Sequence, residues 1–455
     1  MVRPVSIGVL VDLEFSPNAG GHVKCWERFV QAASRYTGLT DSQFDLTVYF
    51  LDRPAGKNGT EKTVHLSPAT RIKTVPAVSG TRQHGLQQGA GHTDLVRFHP
   101  GLASHLVRHD VLHVTSCFAL SETAAAISRQ RGVALTGSLH THVPAFAEIY
   151  APDAAAARFG GSKLIRRLSR LARVDRLGRQ LTQYRVDRVF GACSYLLAAT
   201  AADRAALAHR YPEARVGPLG RGIDLGRFDP VLRDRHWLAE RTGFPDEAVV
   251  ACFVGRIDAS KQALLVARVV AGLRNRHLDV CLLAVGEGRD RAAIKDLLGP
   301  AACLPGSVDQ AELARVYASS DFFLFPSQTE TFGNAVLEAR ASGLPVVLPV
   351  SAAASALEVV HEKDGILVKD QRIASWIECA MPVAQDAALR QRLGQAARLH
   401  AETRARSWGQ VFAEDLLPVW LEAAGAMVQP QPGDRMFVHA ADASMEEAGM
   451  SEASA

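Results

Sequence analysis

Short runs of aliphatic and β-branched residues recur along the chain, separated by longer stretches with apolar residues at helical spacing. "VSIGVLVD", "FDLTVYFL", "DVLHVTS" and "GVALTGSLHT" are the strand candidates of the first half, and "AVVACFVG", "DVCLLAVG", "DFFLFPS" and "LPVVLPV" those of the second. Apolar at nearly every position, they match strands of a parallel sheet buried on both faces. The alternation of strand and helix predicts an α/β protein of two doubly wound, Rossmann-like domains. Gly and Pro cluster in "PLGRGIDLGRFDPVLRD", between residues 218 and 234, which puts the join there. The predicted organisation is a first domain over 1–225, a second over 226–407, a terminal helix over 408–427 and a flexible tail over 428–455. The Gly/Gln/His-rich stretch from Val78 to His99 reads as a long surface loop.

Size and composition agree. A chain of 455 residues exceeds what one core usually holds, and 47% hydrophobic with 22% charged residues describes a soluble globular protein. A net charge of +4 gives no case for nucleic acid. Seven cysteines, scattered and without a CxxC pair, fit small core residues of a reducing compartment rather than a disulfide or zinc framework. No apolar run approaches the ~20 residues of a membrane span, and the N-terminus reads as a strand rather than a signal peptide. A cytoplasmic location is expected.

Ligands of open α/β sheets bind beyond the carboxyl ends of the strands, so the residues after each strand carry the chemistry. After the first strand, Gly20 and Gly21 precede a helix, whose leading N–H groups can receive an anion. After "VVACFVG", Arg256 follows Gly255 and Lys261 stands five residues on, entering the next helix; a planar fork and a point charge together suit a diphosphate. "AVGEGRDR" has Gly286 and Gly288 but Arg291 at the third glycine position, so no NAD site is expected there. After "DFFLFPSQT", Glu330 and Glu338 bracket the turn Phe332-Gly333-Asn334 and the start of a helix. Backbone donors between two carboxylate acceptors suit a polyhydroxylated ligand, since each sugar hydroxyl both donates and accepts. His140 and His142 follow a first-domain strand with no further metal-ligand pattern, so no metal is expected and His140 is a candidate hydrogen-bond partner or proton shuttle.

Taken together, "GG" after the first strand, "HTHVP", "GRGIDLGRFDP", "GRIDASK", "VGEG", "PGSVDQAELARVYASSDFFLFPS" and "ETFGNAVLEARASGLPVV" resemble the retaining glycosyltransferases of family 4, which have the GT-B fold. The resemblance runs to about residue 425, and Glu330 and Glu338 match that family's EX7E spacing. It implies two Rossmann-like domains facing a central cleft, with the terminal helix crossing back to the first. It further implies that Glu330 and the amides after it hold the donor sugar while Glu338 holds the nucleotide ribose. Arg256 and Lys261 would neutralise the diphosphate, the Gly20–Gly21 loop would close over it, and His140 would lie by the donor sugar near the acceptor. Two departures stand out: Arg340 occupies a position where the family usually has methionine, and "SAAASALEVV" lacks the usual glycine pair before Glu358.

The expected activity is transfer of a hexosyl unit from a UDP-glucose-like or GDP-mannose donor to a hydroxyl of a lipid or saccharide acceptor, with no cofactor beyond the donor. The resemblance is closest to enzymes of lipid and cell-envelope glycosylation. A sugar-nucleotide epimerase of the same fold and an inert sugar-nucleotide-binding subunit remain as alternatives. Donor sugar, base, acceptor and oligomeric state are left open. One segment adds a partner: from Lys163 to Leu181 seven basic residues face a single acid, Asp175, and Leu164, Leu168, Leu171, Val174 and Leu177 recur at helical spacing. Such a helix can lie on an anionic membrane surface.

Overall fold

The computed structural model describes residues 3–16, 19–36, 44–52, 61–78, 93–158, 173–327, 333–350 and 357–425. Contacts divide the chain into two units, Met1–Gly220 with Trp408–Ala455, and Arg221–Ser407.

The sheet of the first unit is built on β1 (Val5–Glu14), whose six consecutive residues Ile7–Asp12 are buried. It pairs in parallel with β2 (Phe44–Asp52) on one side and β5 (Val111–Val114) on the other. The full order is β3-β4-β2-β1-β5-β6-β7-β8, with β6 at Ala134–Ser138, β7 at Tyr195–Ala198 and β8 at Arg215–Pro218. β3 (Lys62–Ser67) is the antiparallel edge strand beside β4 (Thr70–Pro76). This hairpin, absent from the sequence-based expectations, is masked there by its polar alternation: "KTVHLS" lies at the solvated edge, and Val64 is exposed.

The segment from Trp408 onward packs in this unit. Its helix is interrupted by a π turn, Phe412–Leu416, before the last helix Leu417–Ala423. Pro418 supplies the reason, because it has no N–H to give the preceding turn. Trp420 is fully buried, 6.5 Å from the ring of Trp26 and 6.0 Å from Phe412, and Asp415 accepts from the amide of Gly220 at 2.7 Å. The described part of the expected surface loop is also anchored. Asp94 is buried and accepts from the amide of Val78, and buried His99 reaches the carbonyl of Pro76 at 2.8 Å.

The second unit has the order β11-β10-β9-β12-β13-β14, all parallel. β9 (Val249–Val254) and β10 (Val280–Val285) are central, and every residue of β10 is buried. β11 (Ala302–Gly306), β12 (Phe322–Leu324), β13 (Val346–Pro349) and β14 (Ile366–Val368) complete the sheet. Within this unit the amide of Ile223 donates to the carbonyl of Arg406 at 3.0 Å, so the points where the chain enters and leaves it are paired.

Candidate active site

In a doubly wound sheet the ligand position is where strand order reverses. In the second unit this lies between β9 and β12, which are hydrogen-bonded neighbours. Gly255 ends β9 with φ 150°, a value only glycine adopts without strain. The next residues form a tight turn in which the buried carboxylate of Asp258 accepts from the amide of Ser260 at 2.9 Å and from its hydroxyl at 2.6 Å. Ser260 Oγ in turn receives a guanidinium N–H of Arg256 at 2.8 Å, while a carboxylate oxygen of Asp258 stands 3.9 Å from Arg256. The sequence reading named Arg256 but missed these two residues that aim it. Their signal is the Asp-x-Ser spacing of an Asx-type turn.

Lys261 does not enter the helix as expected. The helix is Ala263–Arg274, capped by Gln262 with left-handed φ 54°, and Lys261 sits in the turn before it. Its ammonium lies 5.7 Å from the ring centroid of Phe325, just past the end of β12. One cation thus spans the two strand ends at the reversal. Gly286 and Gly288 also find a reason here. A Cβ on either would collide with the carbonyl oxygen of Gly255 or Ile257, so these glycines let the turn after β10 press against the turn after β9. They serve packing.

Beyond β12, Glu330 and Phe332 lie outside the described residues. Gly333, in left-handed conformation at φ 67°, caps the helix Asn334–Ala341. Leu337 donates to the carbonyl of Gly333 at 2.9 Å, so Asn334, Ala335 and Val336 lead the helix with amides that have no intrahelical acceptor. Two buried polar atoms, Ser327 Oγ and Asn334 Oδ1, have no hydrogen-bond partner among the described residues, and both stand at this end of β12. Glu338, half-buried one turn into the helix, accepts from the hydroxyl of Tyr317 at 3.3 Å.

Arg340, the residue in place of methionine, is 1% exposed at its side chain and paired with Asp364 at 2.6 Å. It also donates to the carbonyl of Leu357 at 2.5 Å, and Asp364 accepts the amide of Val360 at 2.7 Å. The buried guanidinium therefore holds together the segment that follows residues 351–356, which lie outside the described residues. Glu358 has φ 50°, so the chain makes a left-handed turn there without glycine.

In the first unit the strand order reverses between β1 and β5. Past β1, Gly20 caps the helix Gly21–Ser34 at φ −69°, a conformation open to any residue, and a Cβ there would meet nothing within 4 Å. Backbone geometry therefore does not require this glycine. The space above it is what a glycine keeps open. His22, in the first turn, stacks on His140 with centroids 4.4 Å apart and planes 6° apart. The glycine pair and the "HTHVP" motif thus meet through a residue the sequence reading passed over.

His140 is buried, and its Nε2 is 2.8 Å from Ser138 Oγ, itself 2.8 Å from Nε2 of His113. The His113 pKa is pushed down to about 3 by burial, so the ring is neutral. His142 lies apart from this cluster, 3.2 Å from Asp203. Burial raises the Asp203 pKa, but hydrogen bonds from His142 and Thr200 outweigh it and leave a net lowering. Among the described residues, no group of three or more His, Cys, Asp or Glu side chains could hold a metal ion.

Three comparisons bear on this arrangement. The family described as "Glycosyl transferases group 1" matches residues 248–386. A GDP-mannose-dependent alpha-mannosyltransferase of Mycolicibacterium smegmatis is 33% identical over 307 residues, 67% of this chain and 72% of that protein. One of the same description from Mycobacterium tuberculosis is 30% identical over 80% of this chain and 85% of its own length. Among solved structures, a sucrose-phosphate synthase from Thermosynechococcus elongatus superposes with a TM-score of 0.63 at 18% identity, covering 92% of this chain and all of its own. An Anabaena protein in complex with UDP and glucose gives 0.61 at 15% identity, over 91% of this chain and 98% of that one. At these identities the structures share the fold alone.

Proposed function

The chain belongs to the group 1 glycosyltransferases, family 4 enzymes of GT-B type, and from that premise we propose that it transfers a mannosyl or related hexosyl unit from a nucleotide diphosphate sugar, with retention, to a hydroxyl of a lipid or saccharide acceptor. The observation that carries the reading is the reversal point of the second unit, where Arg256, Lys261 and the helix bearing Glu338 stand at the ends of two adjacent strands. A diphosphate is the ligand that such a pair of cations fits, and a ribose or sugar supplies hydroxyls to Glu338 and to the leading amides. The GDP-mannose dependence named for the two mycobacterial relatives favours GDP-mannose as donor.

In this reading the bond from the anomeric carbon to the diphosphate oxygen breaks, and its electron pair leaves with the diphosphate. The acceptor hydroxyl attacks the same face and gives its proton to a departing diphosphate oxygen. The guanidinium of Arg256 and the ammonium of Lys261 meet charge that is larger in the transition state than in the bound donor, which is how binding lowers a barrier. These two cations do the work a metal would do elsewhere, so we propose metal independence. By the family's EX7E spacing, Glu330 would take the transferred sugar.

A membrane acceptor fits the helix Val174–Phe190, where Leu177, Leu181 and Tyr184 are each more than half exposed at helical spacing, with Arg173, Arg176 and Arg188 exposed on the same element. The described apolar stripe runs one turn beyond the expected one. Val174 is half-buried, and Leu164, Leu168 and Leu171 lie outside the described residues. No described helix is long and apolar enough to cross a membrane.

The test is a thermal-shift panel of GDP, UDP, ADP and their sugars, followed by NMR assignment of the product anomer. GDP and GDP-mannose should give the largest shifts, Glu338→Gln should reduce both, and the product should keep the donor's α configuration. A β product, or donor epimerised without acceptor, would replace this reading.

A further inference from the structure

In the second unit the rings of Phe228, Tyr317, Phe323 and Phe325 pack as one column. Phe323 lies in β12 and Phe325 two residues on, so both fall on one face of the strand, with centroids 5.4 Å apart and planes at 16°. Tyr317, on the helix Gln310–Ser319, meets Phe323 edge-on at 5.7 Å, and Phe228 meets Tyr317 in the same way at 6.0 Å. Phe228, Tyr317 and Phe323 are fully buried, and Phe325 is 3% exposed. Edge-to-face and offset contacts at these distances are the favoured arrangements of aromatic rings. Close-packed in this way, the rings have no room for another rotamer.

Two groups of the candidate site rest on this column. The ammonium of Lys261 lies 5.7 Å from the ring centroid of Phe325. Further along, the hydroxyl of Tyr317 donates to Oε2 of Glu338 at 3.3 Å. Glu338 is half-buried, one turn into the helix Asn334–Ala341. A glutamate side chain is flexible, and ordering it on a ligand costs conformational entropy. A carboxylate that already meets a fixed phenol has given up part of that freedom before the ligand arrives, which favours binding. The phenol cannot follow the carboxylate if it swings away, because its ring is packed against Phe228 and Phe323.

We infer that Tyr317 is a positioning residue for the nucleotide half of the donor: its hydroxyl steadies Glu338, and its ring ties that carboxylate to the aromatic column that underlies Lys261. The inference rests on the proposed reading of Glu338 as a ribose contact and Lys261 as a diphosphate contact. Carboxylate and ammonium are then kept at a set spacing by the packing beneath them. That suits a ligand whose ribose and diphosphate are covalently joined. A tyrosine that served the core alone could become phenylalanine without consequence for ligand binding.

Tyr317→Phe keeps the ring and removes only the hydroxyl. Crystal structures without ligand should show the Glu338 carboxylate in one place against Tyr317 in wild type, and displaced or in more than one conformer in the variant. By calorimetry, Kd for free GDP should rise about fivefold, the worth of one hydrogen bond. KM for GDP-mannose should rise with it, and kcat should fall by less. In a Glu338→Ala background the same substitution should change Kd for GDP by less than about twofold, because the hydroxyl then has no carboxylate to hold. A Glu338 carboxylate that stays in place in Tyr317→Phe overturns the inference, as does an equal loss of GDP affinity with and without Glu338. A lowered Tm with unchanged Kd for GDP would make Tyr317 a core residue and nothing more. The crystallographic comparison needs no ligand, so failure of the nucleotide reading would show separately, as GDP binding that Glu338→Ala leaves unchanged.

Discussion

The two units carry the same kind of sheet but use its interior differently. In the second, β9 and β10 read "VVACFV" and "VCLLAV", and the charged groups wait beyond the strand ends, at Arg256, Asp258 and Lys261. In the first, β5 and β6 carry His113, Thr136 and Ser138 inside the sheet itself, all fully buried. A dry platform holds charge rigidly at one place. A polar line through the core instead must satisfy every member to be tolerated. The second unit accordingly keeps charge at its strand ends, and the first places hydrogen-bonded polar side chains within its sheet.

The contrast breaks most severely at the buried ion pair of Arg340 and Asp364 in the second unit. Asp364→Ala strands the guanidinium of Arg340 inside the protein, an uncompensated charge expected to cost about 3–5 kcal/mol. Denaturant unfolding should show it. Arg340→Met with Asp364→Leu removes both charges and should recover most of the loss. If the single substitution is nearly silent, the buried pair is not what holds the Leu357–Asp364 segment.

Next in size is the strand-end charge. Arg256→Ala and Lys261→Ala should each lower turnover by on the order of 10²–10³ at saturating donor, with donor affinity falling less. Ser260→Ala, which releases Arg256 without removing it, should fall between these and wild type. Rates within about tenfold of wild type for both alanine variants would leave the leaving-group role without support.

The acid response of the first unit follows from His113. Its folded pKa is depressed from 6.5 to about 3, so above pH 6.5 both folded and unfolded states are neutral and pH has no leverage through it. As pH falls below 6.5 the unfolded chain takes the proton first and stability is lost. By pH 5 the loss is about 2 kcal/mol, at 1.36 kcal/mol per unit. His113→Asn is less stable at pH 7 but should lack this part of the slope. An identical pH slope in wild type and variant would show that His113 is not the titrating group.

The smallest effect concerns the surface of the first unit. Binding to vesicles containing anionic lipid should exceed binding to neutral vesicles, with ~1 kcal/mol per basic residue near the surface. Leu177→Ser with Leu181→Ser should weaken it while leaving turnover on a soluble acceptor intact. Equal sedimentation with both vesicle types would remove the membrane from the proposal.

Much of this was legible without coordinates because it is written in local pattern. Continuous apolar runs mark the central strands of both sheets, whose burial on both faces leaves no polar position to disguise them. Gly255, Arg256 and Lys261 are legible because strand ends and glycine turns announce where a backbone stops pairing and a ligand can approach. The edge hairpin β3–β4 was not, since a solvated edge strand looks like a loop, nor were β7 and β8.

Pairings across long stretches of sequence belong to the tertiary structure alone. Nothing local joins His22 to His140, Arg340 to Asp364 or Trp26 to Trp420. The sequence determined a two-sheet α/β chain with two cations at one strand-end turn, because strand periodicity and turn chemistry act between near neighbours. Which buried hydroxyl faces which imidazole was decided only when folding brought β5 and β6 into register, Val111 opposite Ala134 and His113 opposite Thr136, because a hydrogen bond depends on distances that no sequence spacing encodes.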